Sequence, residues 1–391
     1  MKRIILLGST GSIGLNTLQV VREHPGKFKI VALAARSSAD VLSKQIDEFH
    51  PEAVCLTDEK AAASLRSRVN GTTRVLAGEK GLREIAAWKT GDMVIAASSG
   101  ASALVPVLDA IEAGKDIGLA NKEILVIAGA LVSDAVRARR VRLLPVDSEH
   151  NAIYQCVGGA KNREIRRIVL TGSGGPLKDV PRERFRGISK DIVTRHPRWS
   201  MGKKITVDSA TLMNKGLEII EAQWLFGVEP ERIRVVIHPE AIVHSMVEFV
   251  DGSILAQMGP TDMKSPLLHV MSHPERYDAP ASSIDLVRLG ALHFSEPDFG
   301  KFPCLGLALE AARASRTTLP CVLSAADEVA VEAFLEDRID FVRIPEVIEA
   351  VMRSHTVKKD PALKDIQEAD RWARAEASRL SGVPAAAGSR L

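Results

Sequence analysis

The sequence predicts an α/β protein: a parallel sheet covered by helices at the N-terminus, an α+β segment after it, and a helix bundle at the C-terminus. Three observations carry that reading. Residues 2–146 alternate short apolar runs with helical patterns, residues 147–273 bring several strand-like runs close together, and from Leu305 to about Leu380 the chain is Ala- and Leu-rich with helical periodicity. Continuous apolar runs separated by helices are what a sheet buried on both faces requires. A chain of 391 residues has length for two or three domains.

"RIILLG" reads as the first strand and "SIGLNTLQVVREHP" as the helix after it. Between them, "GSTGSIG" places Gly8, Gly11 and Gly14 in a strand–loop–helix context. Such a turn brings backbone N–H groups and a helix N-terminus up to a pyrophosphate, the Rossmann-like arrangement for a dinucleotide. "FKIVALAA" is the second strand, and at its end stand Arg36, Ser37 and Ser38. NAD sites place an acid here for the ribose 2′-hydroxyl, whereas a cation and two hydroxyls suit the 2′-phosphate of NADP. An exposed loop arginine is the competing reading. "AVCL", "MVIAAS" and "VRLLPV" supply further strands. After the short strand "DIGL", "ANKE" in extended form would turn Asn121 and Glu123 to one side and Lys122 to the other, one for cofactor and one for substrate.

"VDSEHNAIYQ" follows the apolar "LLP". Either Asp147 or Ser148 caps a helix beginning near Asn151, or Asp147 and Glu149, at i and i+2 of an extended segment, point together and hold a metal. His150 would then point away. "LTGSGGP" adds a strand followed by Ser173 and two glycines, either an anion nest or a plain turn. "TRHPRWSMGKK" mixes His196 and Trp199 with basic residues and reads as a flap closing on a ligand. "VDSATLMNKGLEIIEAQWLF" reads as a helix from about Ser209, with Met213, Leu217, Ile220 and Trp224 as its core stripe. Thr211, Asn214, Lys215 and Glu218 gather opposite, either as a solvated face or as a phosphate grip with a third acid beside Asp147 and Glu149. Gly216 in mid-helix costs about 1 kcal/mol against Ala and invites a close backbone approach. Three carboxylates suit a hard ion such as Mg²⁺ or Mn²⁺.

Residues 274–303 are rich in Pro, Ser, Asp and Gly and read as a surface linker; the tail "GVPAAAGSRL" reads as frayed. The division expected is therefore 1–146 for dinucleotide, 147–273 for metal and substrate, a 274–303 linker and a 304–391 helical domain. A net charge of +3 and 4% aromatics leave nucleic acid without a footprint. The basic "RARRVR" reads as a solvated helix end. Four scattered cysteines point to a reducing, cytoplasmic setting, and no apolar run has the roughly 20 residues that cross a membrane.

Together, "GSTGSIG", "LANKE", "LLPVDSEHNAI", "LTGSGGP", "RHPRWSMGKKITVDSATLMNKGLE", "HPEAIVHSMV", "GPTDMKSP" and "AADEVAVEAFL" closely resemble the 1-deoxy-D-xylulose 5-phosphate reductoisomerases of the non-mevalonate isoprenoid pathway. The matches run in order over residues 5–335. The resemblance implies a homodimer that uses NADPH and Mg²⁺ or Mn²⁺, with Co²⁺ as a substitute, on a sugar phosphate. It implies metal ligation by Asp147, Glu149 and Glu218, and a phosphate end held by Ser173, Ser209, Asn214 and Lys215. Lys122, Ser148 and His196 would meet the substrate, with Trp199 on the closing flap. NADPH would lie on Gly8, Thr10, Gly11, Ser12, Ile13, Gly14, Asn121, Glu123 and Gly202. The implied chemistry is retro-aldol cleavage, re-addition to a branched aldehyde, and hydride reduction, with Lys122, Glu149, His196 and Trp199 at the reacting centre. His244 matches a family histidine without an assigned role. Two positions depart from the family: Arg36-Ser37-Ser38 stands where Gly-x-Asn is frequent, and Asp327 replaces a common Asn, expected to affect local packing only. The rivals are a metal-free NADP-dependent dehydrogenase of a phosphorylated small molecule, which would leave the three acids idle, and a non-enzymatic NADP sensor.

Overall fold

The structure, a computed structural model, describes residues 1–69, 71–98, 100–199, 201–279 and 283–382. Most of the tail read as frayed therefore lies outside the described residues. Strands β1 (Lys2–Leu7), β2 (Phe28–Ala35), β3 (Ala53–Leu56), β4 (Arg74–Ala77), β5 (Met93–Ala96), β6 (Asp116–Leu119) and β7 (Leu143–Pro145) form one sheet in the order β4-β3-β2-β1-β5-β6-β7. Every neighbouring pair is parallel. Alternation along a strand explains why β1 is apolar throughout: Ile4 and Leu6 enter the core on one face, Ile5 and Leu7 the core on the other. β4 was not legible, since "RVLA" is short and half-exposed at the sheet edge.

A second sheet contains β8 (Ile165–Gly172), β9 (Ile233–Ile237), β10 (Val243–Phe249) and β11 (Ile254–Met258), ordered β11-β10-β8-β9. It is mixed: β10 runs antiparallel to β8 and β11, whereas β8 and β9 are parallel. Helix Met213–Phe226 lies between this sheet and the C-terminal helices Pro303–Arg313, Leu319–Leu335, Arg343–Ser354 and Leu363–Ser381, and one continuous apolar core joins all of them. Helix Lys264–Ser272 returns to the first sheet, where Leu267, Leu268, Val270 and Met271 enter the core beneath β1.

Three local expectations are corrected. Asp147 does not continue a strand; it is the N-cap residue of helix Ser148–Val157, with φ −53° and ψ 130°, and its side chain caps nothing. The helix begins three residues before Asn151 because Ser148 and Glu149 are themselves good first-turn residues. The segment from Ser209 is not one helix: Lys203–Thr211 and Met213–Phe226 are separated by Leu212, whose φ of 59° breaks the hydrogen-bond ladder. The third concerns "ANKE": Lys122 is the N-cap of helix Glu123–Arg139, so strand alternation ends before it.

Candidate active site

Asp147 leaves the carboxyl end of β7, where open α/β sheets place their ligands. The first turn of helix Ser148–Val157 then carries Ser148, Glu149 and His150. Helix Met213–Phe226 brings Asn214, Lys215, Glu218 and Glu221 to the same place, and all but Asn214 are buried. One ligand oxygen each from Asp147, Glu149 and Glu218 lie within 4.8 Å of one another. The acids thus converge by helical geometry rather than by the strand alternation expected. The site face of this helix is buried, not solvated.

Two ammoniums stand among the acids. Lys122 contacts Asp147, lies 3.2 Å from Glu218 Oε1 and donates to Asn214 Oδ1 at 2.9 Å. Lys215 donates at 2.6 Å to both Glu149 Oε1 and Glu218 Oε2. Asn214 Nδ2 donates to Glu218 Oε1 at 2.7 Å, and Ser148 Oγ to Glu149 Oε2 at 2.5 Å. Burial opposes the charge on Lys122, but Asp147 and Glu218 outweigh it and hold this ammonium well above its usual range. Burial also raises Glu149, yet Lys215 and Lys122 together bring it below the usual carboxylate range. Glu218 goes the other way: burial and then Glu149 push it up to about 7 against both lysines.

Glu221 was missed by the sequence reading. It is fully buried, one turn beyond Glu218, and i, i+3 spacing on a site helix was the signal available. His150 was expected to point away; the helix instead turns it between Asp147 and Glu221, with Nδ1 3.3 Å from Glu221 Oε2 and 3.9 Å from Asp147 Oδ2. Its Nε2 donates to the Glu218 carbonyl at 2.9 Å. Asp147, His150 and Glu221 thus form a second triad sharing Asp147 with the first. With every group ionised, four carboxylates (Asp147, Glu149, Glu218, Glu221) against two ammoniums (Lys122, Lys215) leave two negative charges. One divalent cation balances them. The fit is also chemical: the three converging ligand atoms of Asp147, Glu149 and Glu218 are all carboxylate oxygens, the donor set a hard divalent ion takes.

The flap lies over this cradle. His196 Nδ1 accepts from the backbone N–H of Arg198 at 3.2 Å and of Trp199 at 2.9 Å, so Nε2 carries the proton it donates to Ser173 Oγ at 3.1 Å. Burial, helped by Lys215, lowers His196 to about 4 and keeps it neutral. The Trp199 ring stands 6.3 Å from that of His244. Ser173 opens a turn in which Gly174 and Gly175 have φ of +84° and +70°, and Gly175 presses so close to Ser209 that a Cβ would lie 2.4 Å from the Ser209 carbonyl oxygen. Gly172 likewise leaves room for the Lys215 stem, 3.1 Å from where a Cβ would be. Ser173, His196, Ser209, Asn214 and Lys215 are therefore brought together around the acids.

The dinucleotide candidates gather at the carboxyl end of the first sheet. Gly8 has φ +87° and backs onto Ser98, and a Cβ on Gly14 would fall 2.2 Å from the Gly8 carbonyl oxygen, so helix Ser12–Glu23 starts in contact with the turn. Gly11 is its N-cap without a side-chain cap, leaving the first-turn N–H groups of Ser12, Ile13 and Gly14 for a ligand; Thr10 lies in the turn before it. Asn121 donates to the carbonyls of Ser98 at 2.5 Å and Gly100 at 2.8 Å, fixing the loop after β5. Arg36, Ser37 and Ser38 are exposed at the end of β2. Glu123 lies 3.9 Å from Lys204, two residues after Gly202, the N-cap of helix Lys203–Thr211.

Comparison with known proteins gives one consistent result. Family models described as 1-deoxy-D-xylulose 5-phosphate reductoisomerase match residues 4–129, those for its C-terminal domain residues 143–226, and a further reductoisomerase C-terminal domain residues 258–376. A 1-deoxy-D-xylulose 5-phosphate reductoisomerase of Chlorobaculum tepidum is 48% identical over 383 residues, covering 98% of this chain and 100% of its own. The solved structure of the Zymomonas mobilis reductoisomerase in complex with NADPH superposes with a TM-score of 0.91 at 38% identity, covering 97% of this chain and 99% of that one. A DOX-P reductoisomerase in complex with NADPH, fosmidomycin and magnesium gives 0.93 at 40% identity, covering 98% of each chain.

Proposed function

The chain belongs to the 1-deoxy-D-xylulose 5-phosphate reductoisomerase family, and we propose that the carboxylate cradle at the end of β7 is where it performs that family's reaction. It is an NADPH- and divalent-metal-dependent enzyme that isomerises and reduces 1-deoxy-D-xylulose 5-phosphate to 2-C-methyl-D-erythritol 4-phosphate, a step of non-mevalonate isoprenoid biosynthesis. The observation that carries the assignment of residues is the meeting of Asp147, Glu149 and Glu218, from two helices distant in sequence, with ligand atoms within 4.8 Å.

We assign Asp147, Glu149 and Glu218 as holders of the divalent ion, which supplies Lewis-acid polarisation of the substrate carbonyl when bound. NADPH, on the turn Gly8–Gly14 with Thr10, Ser12 and Ile13 and beside Asn121, Glu123 and Gly202, supplies the hydride. Arg36, Ser37 and Ser38 are assigned to its 2′-phosphate, as exposed donors at the end of β2. Lys122, held cationic by Asp147 and Glu218, is placed to stabilise negative charge developing on the reacting oxygens. Ser148 orients Glu149 through its hydroxyl. Lys215, Asn214, Ser209 and Ser173 take the phosphate, a cation with neutral donors around a dianion. His196, neutral and protonated on Nε2, donates at the Ser173 end, and Trp199 closes over the site to exclude water.

We further propose a homodimer formed along β11. This strand is the free edge of the second sheet, and Ile254 and Leu255 on it are 55% and 51% exposed, the pattern of a pairing edge. No helix among the described residues is long and apolar enough to cross a membrane. Four buried, free cysteines support a reducing, cytoplasmic setting.

The test is NADPH oxidation, followed by absorbance, with deoxyxylulose phosphate in the presence and absence of Mg²⁺. Turnover should need the ion, stop on chelation and return on its restoration. Turnover that survives chelation and dialysis would favour the metal-free dehydrogenase instead.

A further inference from the structure

Helix Lys203–Thr211 leads from the flap to Ser209, and a charged clasp pins its first turn. Lys204 Nζ donates to Asp208 Oδ2 one turn on at 2.6 Å and lies 3.0 Å from Asp327 Oδ2 on helix Leu319–Leu335. Glu123, first residue of helix Glu123–Arg139, is 3.9 Å away. Asp208 and Asp327 are 2% and 0% exposed, so this is not a solvated ion pair. Asp327 was expected to influence local packing only; it instead provides a buried charge contact across elements. Two buried carboxylates on one ammonium leave an excess negative charge, relieved if the aspartates share a proton. Burial and mutual repulsion hold Asp208 well above the usual carboxylate range, in accord with that sharing.

The clasp spans the helix from Lys204 in its first turn to Asp208, the residue before Ser209. Ser209 packs against Gly175, and Leu212 then turns the chain into the helix bearing Asn214, Lys215 and Glu218. The helix begins where the flap ends, at Gly202.

We propose that Lys204, anchored to the C-terminal bundle by Asp327, is a positioning residue that sets the tilt of helix Lys203–Thr211 and so holds Ser209 in register with the phosphate end of the substrate. The inference rests on the assignment of Ser209 to the phosphate. It makes Asp327 a working part of the site: an amide oxygen there would also accept from Lys204, whereas an apolar side chain would not.

The test is a double-mutant cycle on affinity. The Kd for deoxyxylulose phosphate is measured by calorimetry for the full-length wild type, Lys204→Met, Ser209→Ala and the double variant, with NADPH oxidation recorded separately. Lys204→Met should weaken binding about tenfold with kcat within about threefold, since a misaligned donor loses uniform binding. In the Ser209→Ala background the same change should cost no more than about twofold, because the two act through one contact. Asp327→Leu, which keeps the Lys204–Asp208 pair within its helix, should show the same coupling, and Asp327→Asn should bind as wild type. Additive effects in the double variants, or a lowered Tm with unchanged Kd in both Lys204→Met and Asp327→Leu, would overturn the clasp. A wild type that binds substrate but leaves NADPH unoxidised would count against the assigned reaction, while the cycle still decides the clasp.

Discussion

Gly216 offers a quantitative test of how closely the site depends on the C-terminal bundle. It lies between Lys215 and Glu218, and a methyl group there would fall 2.3 Å from Ala308 Cβ on helix Pro303–Arg313. Two methyl carbons need about 3.5–4.0 Å, so Gly216→Ala must part the helices locally by roughly 1.5 Å. Ala308 is fully buried on a packed helix and has no flexible end to swing aside. Overpacking of this kind costs about 1–3 kcal/mol of stability. The chemical cost is larger, because Glu218 and Lys215 ride on the same helix and a misplacement of about 1 Å can lower a rate about a hundredfold. Gly216→Ala should therefore reduce kcat by roughly tenfold to a hundredfold at saturating substrate, with a moderate fall in Tm. Adding Ala308→Gly removes the opposing methyl and should recover most of both. Steady-state NADPH oxidation with a thermal melt on the three variants makes the comparison. A Gly216→Ala enzyme with wild-type kcat, or a double variant no better than the single one, would refute the reasoning.

Other perturbations separate the remaining parts of the site. Gly14→Ala places its Cβ 2.2 Å from the Gly8 carbonyl oxygen, where only backbone can yield; the KM for NADPH should rise at least about tenfold, and an unchanged KM would free the turn of its assigned role. Glu218→Gln should depress kcat far more than Ser173→Ala, which should chiefly raise the KM for the phosphorylated substrate; equal effects on both parameters in both variants would dissolve that division. Acid acts on the buried histidines and on the raised Glu218 with opposite signs, so the histidine contribution is read as a difference between variants. Burial lowers His196 and His269 from 6.5 to about 4, so between those values the unfolded chain takes up protons that the native state refuses. The urea midpoint of the wild type, measured relative to that of His269→Gln, should fall as pH drops from 7 to 5; a relative midpoint that rises or stays level over that range would contradict the assignment.

Much of the architecture was written in periodicity. Ile4 to Leu7 and Ile30 to Ala35 are apolar on both faces because both faces of their sheet are covered, and that pattern identifies a parallel sheet without further help. The site residues were legible as residue types with unusual neighbours: acids after an apolar run, glycines at a strand end, a lysine and an asparagine beside a mid-helix glycine. Their means of convergence was not. Leu212 adopts a positive φ that no leucine advertises, so the break between the two helices was invisible. The turn of helix that aims Asp147, Glu149 and His150 together reads equally as extended chain because the apolar run continues through Val146 to the acids. Glu221 was within reach through its i, i+3 spacing from Glu218, but the Lys204–Asp208–Asp327 clasp depends on which helices pack together, and local sequence does not encode that.

The central claim is that a divalent ion is held by Asp147, Glu149 and Glu218 together. Anomalous scattering from crystals grown with Mn²⁺ measures this directly. The account predicts a single strong peak among those three carboxylates. A peak held instead by Asp147, His150 and Glu221, or no peak with the three acids turned apart, would contradict it.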